Sequence, residues 1–319
     1  MSRPRQPAWI APMLATLIDE PFTEDGWLFE RKLDGERCLA FRRGDELQLR
    51  SRTRKLLDEV YPELVAPLLA QSPSEFVADG EIVAFERGRT SFPRLQRRLG
   101  LHDPERIRQS GVRVYYYLFD LLHLDGHDTR RLPLAERKRL LEEHFEFADP
   151  LRYSAHRARQ GEHFYRDACR RGWEGLIAKR ADAAYEGRRS RAWLKLKCVN
   201  EQEFVIGGFT DPKESRVGLG ALLVGFYESG KLRYAGKVGT GYDRATLRDL
   251  RRRLDRIERQ RPPFAADRLP TSGAHWVKPE LVAQIRFGEL TRDRKLRQPR
   301  FRGLRTDKQP REVVLERAR

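Results

Sequence analysis

The chain has 319 residues, 39% of them hydrophobic, and its 64 lysines and arginines against 47 acidic residues give a formal net charge of +17. That length and apolar content provide for two cored domains rather than one, while no run approaches the roughly 20 apolar residues of a membrane span. Basic charge spread along the whole length points to a polyanionic partner, which is a statement about association and not about chemistry.

In chain order, "MSRPRQPAWIAPML" is basic but broken by prolines, without the apolar core and cleavage site of a secretory signal. From Trp27 to Arg52 the runs "WLFERKL", "RCLAFRR" and "ELQLRSR" alternate as an antiparallel meander, the last two separated by "GDE". "EFVADGEIVAFE", "RVYYYLFDLLHLDG" and "EGLIAKRAD" continue as strands. Two helices are expected between them. One follows Pro133, with Leu134, Arg137, Leu140, Leu141 and Phe145 in a 3.6-residue rhythm; the other is "GEHFYRDACRRG", ending on Gly172. In "HLDGH", His123 and His127 have the spacing of a helical metal pair, but the Asp-Gly between them makes this a hairpin with surface histidines.

The texture changes at Val199–Gln202, where new strands begin with "EFVIGGFTD" and "LGALLVGFYESGKLRYAGKVGTG", interrupted by one helix capped by Asp243. Five or so strands with one helix suit a small Greek-key barrel of the oligonucleotide-binding (OB) type. The fold class is therefore α+β: antiparallel sheets with flanking helices over residues 1–200, then an OB-fold barrel over 201–319. The three cysteines, Cys38, Cys169 and Cys198, are odd in number and scattered. They support neither a disulfide framework nor a structural zinc site and fit a reducing cytosol.

One strand carries unusual charge. "FERKLDGERCLAF" holds Glu30, Lys32, Asp34, Gly35 and Arg37 in an apolar frame. Alternation alone reads these as the wet side of an ordinary strand, and a lysine with its usual pKa near 10.4 is protonated and non-nucleophilic. Neighbouring cations and partial burial can lower that value. The chain supplies such company in order: "DGE" at Asp79–Glu81, "LFD" at Leu118–Asp120, "EGLIAKR" at Glu174–Arg180 and "WLKLK" at Trp193–Lys197.

This ordered set resembles the nucleotidyltransferase core of the ATP-dependent DNA ligases, and "PMLATL", "LRSRTRK" and "FRGLRTDK" extend the resemblance, over nearly the whole chain, to the ligase module of bacterial ligase D. The resemblance implies that Lys32, within KxDGxR, attacks the α-phosphate of ATP, releases pyrophosphate and becomes lysyl-AMP. It implies that Glu81 and Glu174 place the ribose and Mg2+ or Mn2+, and that Asp34 orients Lys32 or its metal. Phe119 would stack on adenine, with Glu30 at the adenine edge. Arg37, Arg52 and Arg189 would contact sugar or phosphate, and Lys195 and Lys197 would hold the α-phosphate. Arg305 and Lys308 would orient the pyrophosphate from the second domain, which closes over ATP and then swings to grip duplex DNA about a hinge near Cys198–Glu203.

The AMP would pass to a 5′-phosphate, and a 3′-hydroxyl would then displace it to seal the strand. The partner is nicked or broken duplex DNA, bound without sequence reading and weakened by salt. A Ku-like end-binding protein is a further expected partner, in end joining or excision repair, for a monomeric protein of the cytoplasm and nucleoid. No polymerase or phosphoesterase module accompanies these residues, as in a stand-alone ligase or an excised module. The alternatives are an RNA ligase, a capping guanylyltransferase, or an inactive DNA-binding module. An NAD-dependent ligase is disfavoured because its four-cysteine zinc module cannot be built here.

Overall fold

The computed structural model describes residues 6–212, 217–265, 269–270 and 272–316, and the chain divides into two compact units at Cys198–Val199. Of the N-terminal stretch "MSRPRQPAWIAPML", residues 1–5 lie outside the described residues. In the first unit β1 (Leu14–Ile18), β2 (Trp27–Lys32), β3 (Glu36–Arg43) and β4 (Glu46–Ser51) precede α1 (Val65–Leu69), β5 (Glu75–Glu86), β6 (Arg89–Thr90), α2 (Phe92–Gln96) and α3 (Pro104–Gln109). There follow β7 (Val114–Leu124), β8 (His127–Asp128), α4 (Leu134–His144), β9 (Leu151–Tyr153), β10 (His156–Ala158), α5 (Gly161–Arg170), β11 (Gly175–Arg180) and β12 (Arg189–Lys197).

These strands make two sheets, ordered β1-β12-β11-β2-β10 and β4-β3-β5-β7-β8, with β6 on β5 and β9 on β7. The expected meander is therefore only half present: β3 and β4 form the hairpin, but β2 pairs with β10 and β11 in the other sheet. The chain changes sheets at Asp34–Gly35. A Cβ on Gly35 would lie 2.1 Å from the Ile82 carbonyl oxygen, so only glycine lets the backbone cross this close to β5.

Alternation along each strand sorts the faces. Phe29 of β2 packs with Leu176, Ala178, Leu194 and Leu196 against Phe164 and Ala168 of α5, so Glu30 and Lys32 take the opposite face. In the second sheet Cys38, Ala40, Ala78 and Leu118 pack with Leu68, Phe92, Leu95 and Leu141 of the helices. Their neighbours Leu39, Phe41, Val77 and Phe119 cluster with Met13, Tyr185 and Trp193. The inward face of each sheet is thus the one that carries the charged motifs.

Two expectations fail here. His123 is buried, because β7 runs on to Leu124 and the turn falls at Asp125–Gly126; only His127 is exposed. Cys169 at the end of α5 and Cys198 just after β12 are joined by a disulfide, with Cα atoms 5.1 Å apart. Their separation of 29 residues hides this, since α5 packs beside β11 and β11 pairs with β12. Cys38 is free and buried.

In the second unit β13 (Glu201–Thr210), β14 (Leu222–Glu228), β15 (Lys231–Val238), α6 (Arg244–Asp255), β16 (Glu258–Arg259), β17 (Ala274–Val277), β18 (Val282–Arg286), β19 (Glu289–Leu290), β20 (Leu296–Arg297) and β21 (Arg300–Arg305) follow in order. β13 pairs with β14 and β18, β14 with β15, and β18 with β21, while a parallel bridge from Thr240 to Arg300 joins the end of β15 to β21. Five strands thereby close on themselves as an OB barrel. Asp243 caps α6, accepting from Thr246 N at 2.7 Å, and the helix buries Leu247, Leu250 and Leu254 in the barrel core. Among the described residues no helix is long and apolar enough to cross a membrane.

Candidate active site

Register places the two central motifs. Across β2, β11 and β12, Glu30 faces Ile177 and Ile177 faces Lys195, while Lys32 faces Gly175 and Gly175 faces Lys197. Residues directly opposite in a ladder share a face, so Glu30, Lys32, Lys195 and Lys197 project to one side. Gly175 is required for this: its φ is +150°, and a Cβ there would lie 1.8 Å from the Leu196 carbonyl oxygen. Its neighbour Glu174 is thereby brought to Lys32, whose Nζ donates to Oε1 at 2.5 Å; Oε2 of Glu174 is buried without a hydrogen bond.

That ion pair reverses the reactivity expected of Lys32. Burial lowers its pKa, but attraction and a hydrogen bond from Glu174, with Asp34 and Glu81 adding to the field, outweigh burial and hold the ammonium above the ordinary lysine value. Glu174, expected to help place the ribose and the metal, is thus also the first partner of Lys32.

Five of the expected residues, Glu30, Lys32, Arg37, Glu81 and Phe119, line one cleft of about 600 Å³, counting its open mouth. Arg37 is anchored rather than loose: it grips Asp79 through Nε to Oδ1 at 2.5 Å and Nη2 to Oδ2 at 2.6 Å, and lies 4.5 Å from the Phe119 ring centre. Tyr185 donates to the same carboxylate at 2.6 Å. Burial opposes the Arg37 charge, but Asp79 reverses that and raises its pKa.

The other expected residues are placed more loosely. Asp34 accepts from Phe92 N at 3.3 Å, at the start of α2. Lys195 and Lys197 are half-buried on β12, and Arg52 is half-buried after β4. Arg189, exposed at the start of β12, donates to the Ala15 carbonyl. In the second unit Arg305 forms a two-pronged pair with Asp307 at 2.7 and 2.8 Å, and Lys308 pairs with Glu203 at 3.1 Å.

Sequence reasoning missed a charged network in the cleft wall, backed by Lys138 from behind. Glu30 is 2% exposed and accepts from Lys138 Nζ on Oε1 at 2.9 Å, and on Oε2 from Lys179 Nζ at 2.9 Å and Ser154 Oγ at 3.0 Å. Burial raises the Glu30 pKa, but the two lysines outweigh it and hold the carboxyl below its usual range. Lys179 is pushed down to about 8 by burial. It stood inside a quoted motif, "EGLIAKR", two strand positions beyond Ile177; Lys138 and Ser154 carried no signal of their own.

The site also fits a divalent cation of one kind. Among the described residues no group of three or more His, Cys, Asp or Glu side chains could hold a metal. The unpartnered Oε2 of Glu174 and the cleft-lining Glu81 offer oxygen donors only. Such a set suits a hard cation like Mg2+ or Mn2+ that takes its remaining ligands from water and phosphate.

Known proteins resemble this chain over both of its units. The model for the ATP dependent DNA ligase domain matches residues 12–197, and that for the ATP dependent DNA ligase C terminal region matches residues 215–308. The chain is 40% identical, over 98% of its length, to the multifunctional non-homologous end joining protein LigD of Pseudomonas aeruginosa, and 31% identical over 95% to a DNA ligase of Thermococcus fumicolans. It spans 37% of the former and 57% of the latter. The solved structure of mycobacterial DNA ligase D complexed with ATP and MES superposes with a TM-score of 0.67 at 36% identity, covering 96% of this chain and 98% of that one. With a nucleotidyltransferase unit, an OB barrel and the ligase domain matched over more than half its length, the chain belongs to the ATP-dependent DNA ligase family.

Proposed function

We propose that this chain transfers AMP from ATP to Lys32 and then to a 5′-phosphate, and seals nicks or breaks in duplex DNA. The observation that carries the reading is Lys32 lining one cleft with Glu30, Arg37, Glu81 and Phe119, facing out of the same ladder as Lys195 and Lys197 and hydrogen-bonded to Glu174. Lys32 Nζ would attack the α-phosphorus of ATP in line with departing pyrophosphate. Its proton must leave first, and Glu174 Oε1 at 2.5 Å is the positioned acceptor. Lys195 and Lys197 would neutralise charge on the α-phosphate, Arg37, Arg52 and Arg189 would meet sugar or phosphate oxygens, and Asp34 would orient Lys32. Glu81 and Glu174 would hold Mg2+ or Mn2+, which supplies charge neutralisation on the phosphates. The base would enter between Phe119 and the Glu30 edge.

Arg305 and Lys308 would orient the pyrophosphate once the barrel, residues 201–319, closes on the adenylation domain, residues 1–200, about a hinge near Cys198–Glu203. Full-rate adenylation by a chain ending at Gln202 would overturn that closing role. The names of the LigD relatives support end joining, and a Ku-like end-binding protein is the partner this implies. The test is incubation with ATP or GTP labelled at the α-phosphate. Label held on Lys32 from ATP, discharged by pyrophosphate and followed by sealing of nicked duplex, is expected. Label from GTP alone would favour a capping enzyme, and sealing of nicked RNA alone an RNA ligase. Joining of broken ends with and without Ku separates end joining from nick repair.

A further inference from the structure

Lys138 lies outside every motif that describes the reaction. It belongs to α4, is 1% exposed, and does not line the cleft; it reaches Glu30 from behind, donating to Oε1 at 2.9 Å and to the Ser154 carbonyl at 3.0 Å. Glu30, Ser154 and Lys179 do line the cleft. A carboxylate has about four acceptor positions, and three donors occupy Glu30, leaving room on Oε1 for one more.

The charge of this cluster decides what that last position can bind. Two buried ammonium groups share one carboxylate. Protonating Glu30 would leave two like charges buried together without a counter-ion, which is strongly unfavourable. Glu30 is therefore an acceptor without a proton to give. Such a group welcomes an amino group on a base edge and repels a carbonyl oxygen.

Lys179 is the less dependable of the two cations. It faces the cleft 4.2 Å from the Phe119 ring centre, where a bound nucleotide can draw it away, and burial has already eased its proton loss. Lys138 stays at its post behind the wall.

We propose that Lys138 is a specificity-positioning residue: it fixes Glu30 from behind as an acceptor-only group, so that the cleft takes a 6-aminopurine nucleotide and rejects a 6-oxopurine. This rests on the reading that Lys32 is adenylylated with the base edge at Glu30.

The test compares ATP with inosine triphosphate, which carries a 6-oxo acceptor where ATP has its 6-amino donor, and an N1–H where ATP has an N1 acceptor. Label transfer to the protein is measured for the unaltered chain, Lys138→Met and Lys138→Arg. Lys138→Met should lower the ATP-to-ITP ratio of kcat/KM at least tenfold, mainly through a higher KM for ATP. Lys138→Arg, which keeps the charge, should retain the ratio. If Lys138→Met does not fold, as judged by its melting curve, Lys138→Gln replaces it, because its amide still donates to Glu30 without the charge. An unchanged ratio, with both nucleotides slowed alike, would reduce Lys138 to core packing and overturn the proposal alone. Absence of any label from ATP in the unaltered chain would overturn the proposed function as well.

Discussion

Lys32 Nζ and Glu174 Oε1 stand 2.5 Å apart, so the nucleophile rests as an ammonium paired with the carboxylate best placed to take its proton. The pairing makes Lys32 structural as well as reactive. Lys32→Arg should keep the ion pair and fold normally while forming no covalent adduct above background with labelled ATP. Sealing by that variant of nicks already bearing AMP on the 5′-phosphate should persist, because that step needs no new lysyl-AMP.

Removing the carboxylate changes the pH response in a definite direction. In the native chain Glu174 raises the Lys32 pKa, so below it the neutral amine falls about tenfold per pH unit. Glu174→Gln removes the largest of the upward pulls and leaves burial, which lowers the pKa, opposed only by the weaker attraction of Asp34 and Glu81. The single-turnover adenylation profile, measured at saturating ATP and Mg2+, should therefore level off at lower pH, though at a rate about 10²-fold or more below the native one because the proton acceptor is gone.

The same substitution tests linkage. The folded Lys32 pKa lies above its unfolded value, so the pair's stabilisation is fully present below about pH 10.4 and is lost only as pH rises through the folded value. Urea denaturation of Glu174→Gln between pH 6 and 9 should show a constant loss of roughly 1.5–3 kcal/mol. A loss that vanished at pH 9 would contradict the raised pKa.

Asp120, within the quoted "LFD", has a different task from Phe119 beside it. Its carboxylate is wholly buried and gripped by Arg137 of α4 at 2.6 and 2.9 Å. Arg137→Met should lower stability by roughly 3–5 kcal/mol, because an uncompensated buried charge remains. The double variant Arg137→Met with Asp120→Leu should recover much of that loss in the same denaturation experiment.

Salt should separate the two kinds of binding. Non-specific contacts of a chain at +17 with DNA phosphates release counterions, so nick affinity should fall by orders of magnitude between about 50 and 200 mM salt. Adenylation by ATP, held in a cleft by few charges, should change several-fold at most.

The parts of the fold that local pattern dictates were legible: the helix after Pro133, the α6 helix capped by Asp243, and the change of texture before β13. The sheet assignment of β2 was not, because alternation reports which face is apolar and says nothing about which strand lies alongside. Glu30, Lys32, Arg37, Glu81 and Phe119 were legible as a set only through their order in the chain. Asp79 stood within "DGE" but its task of gripping Arg37 was not legible, and Lys138 and Ser154 were hidden, because each role depends on a partner distant in sequence: Arg37, Glu30 and again Glu30. The Cys169–Cys198 bond and the buried His123 escaped for the same reason.

The pairing of β2 with β11, Lys32 opposite Gly175 and Glu30 opposite Ile177, acts as a ruler graduated in steps of two. A single-residue deletion within β2 would not merely weaken the site; it would exchange faces, presenting Phe29 and Arg31 to the cleft and turning Glu30 and Lys32 into the apolar layer beneath α5. A two-residue change would keep polarity yet move the nucleophile by about 6.6 Å along the strand, out of reach of Glu174. Residues added in the loop between β1 and β2, residues 19–26, would by contrast leave the graduation intact.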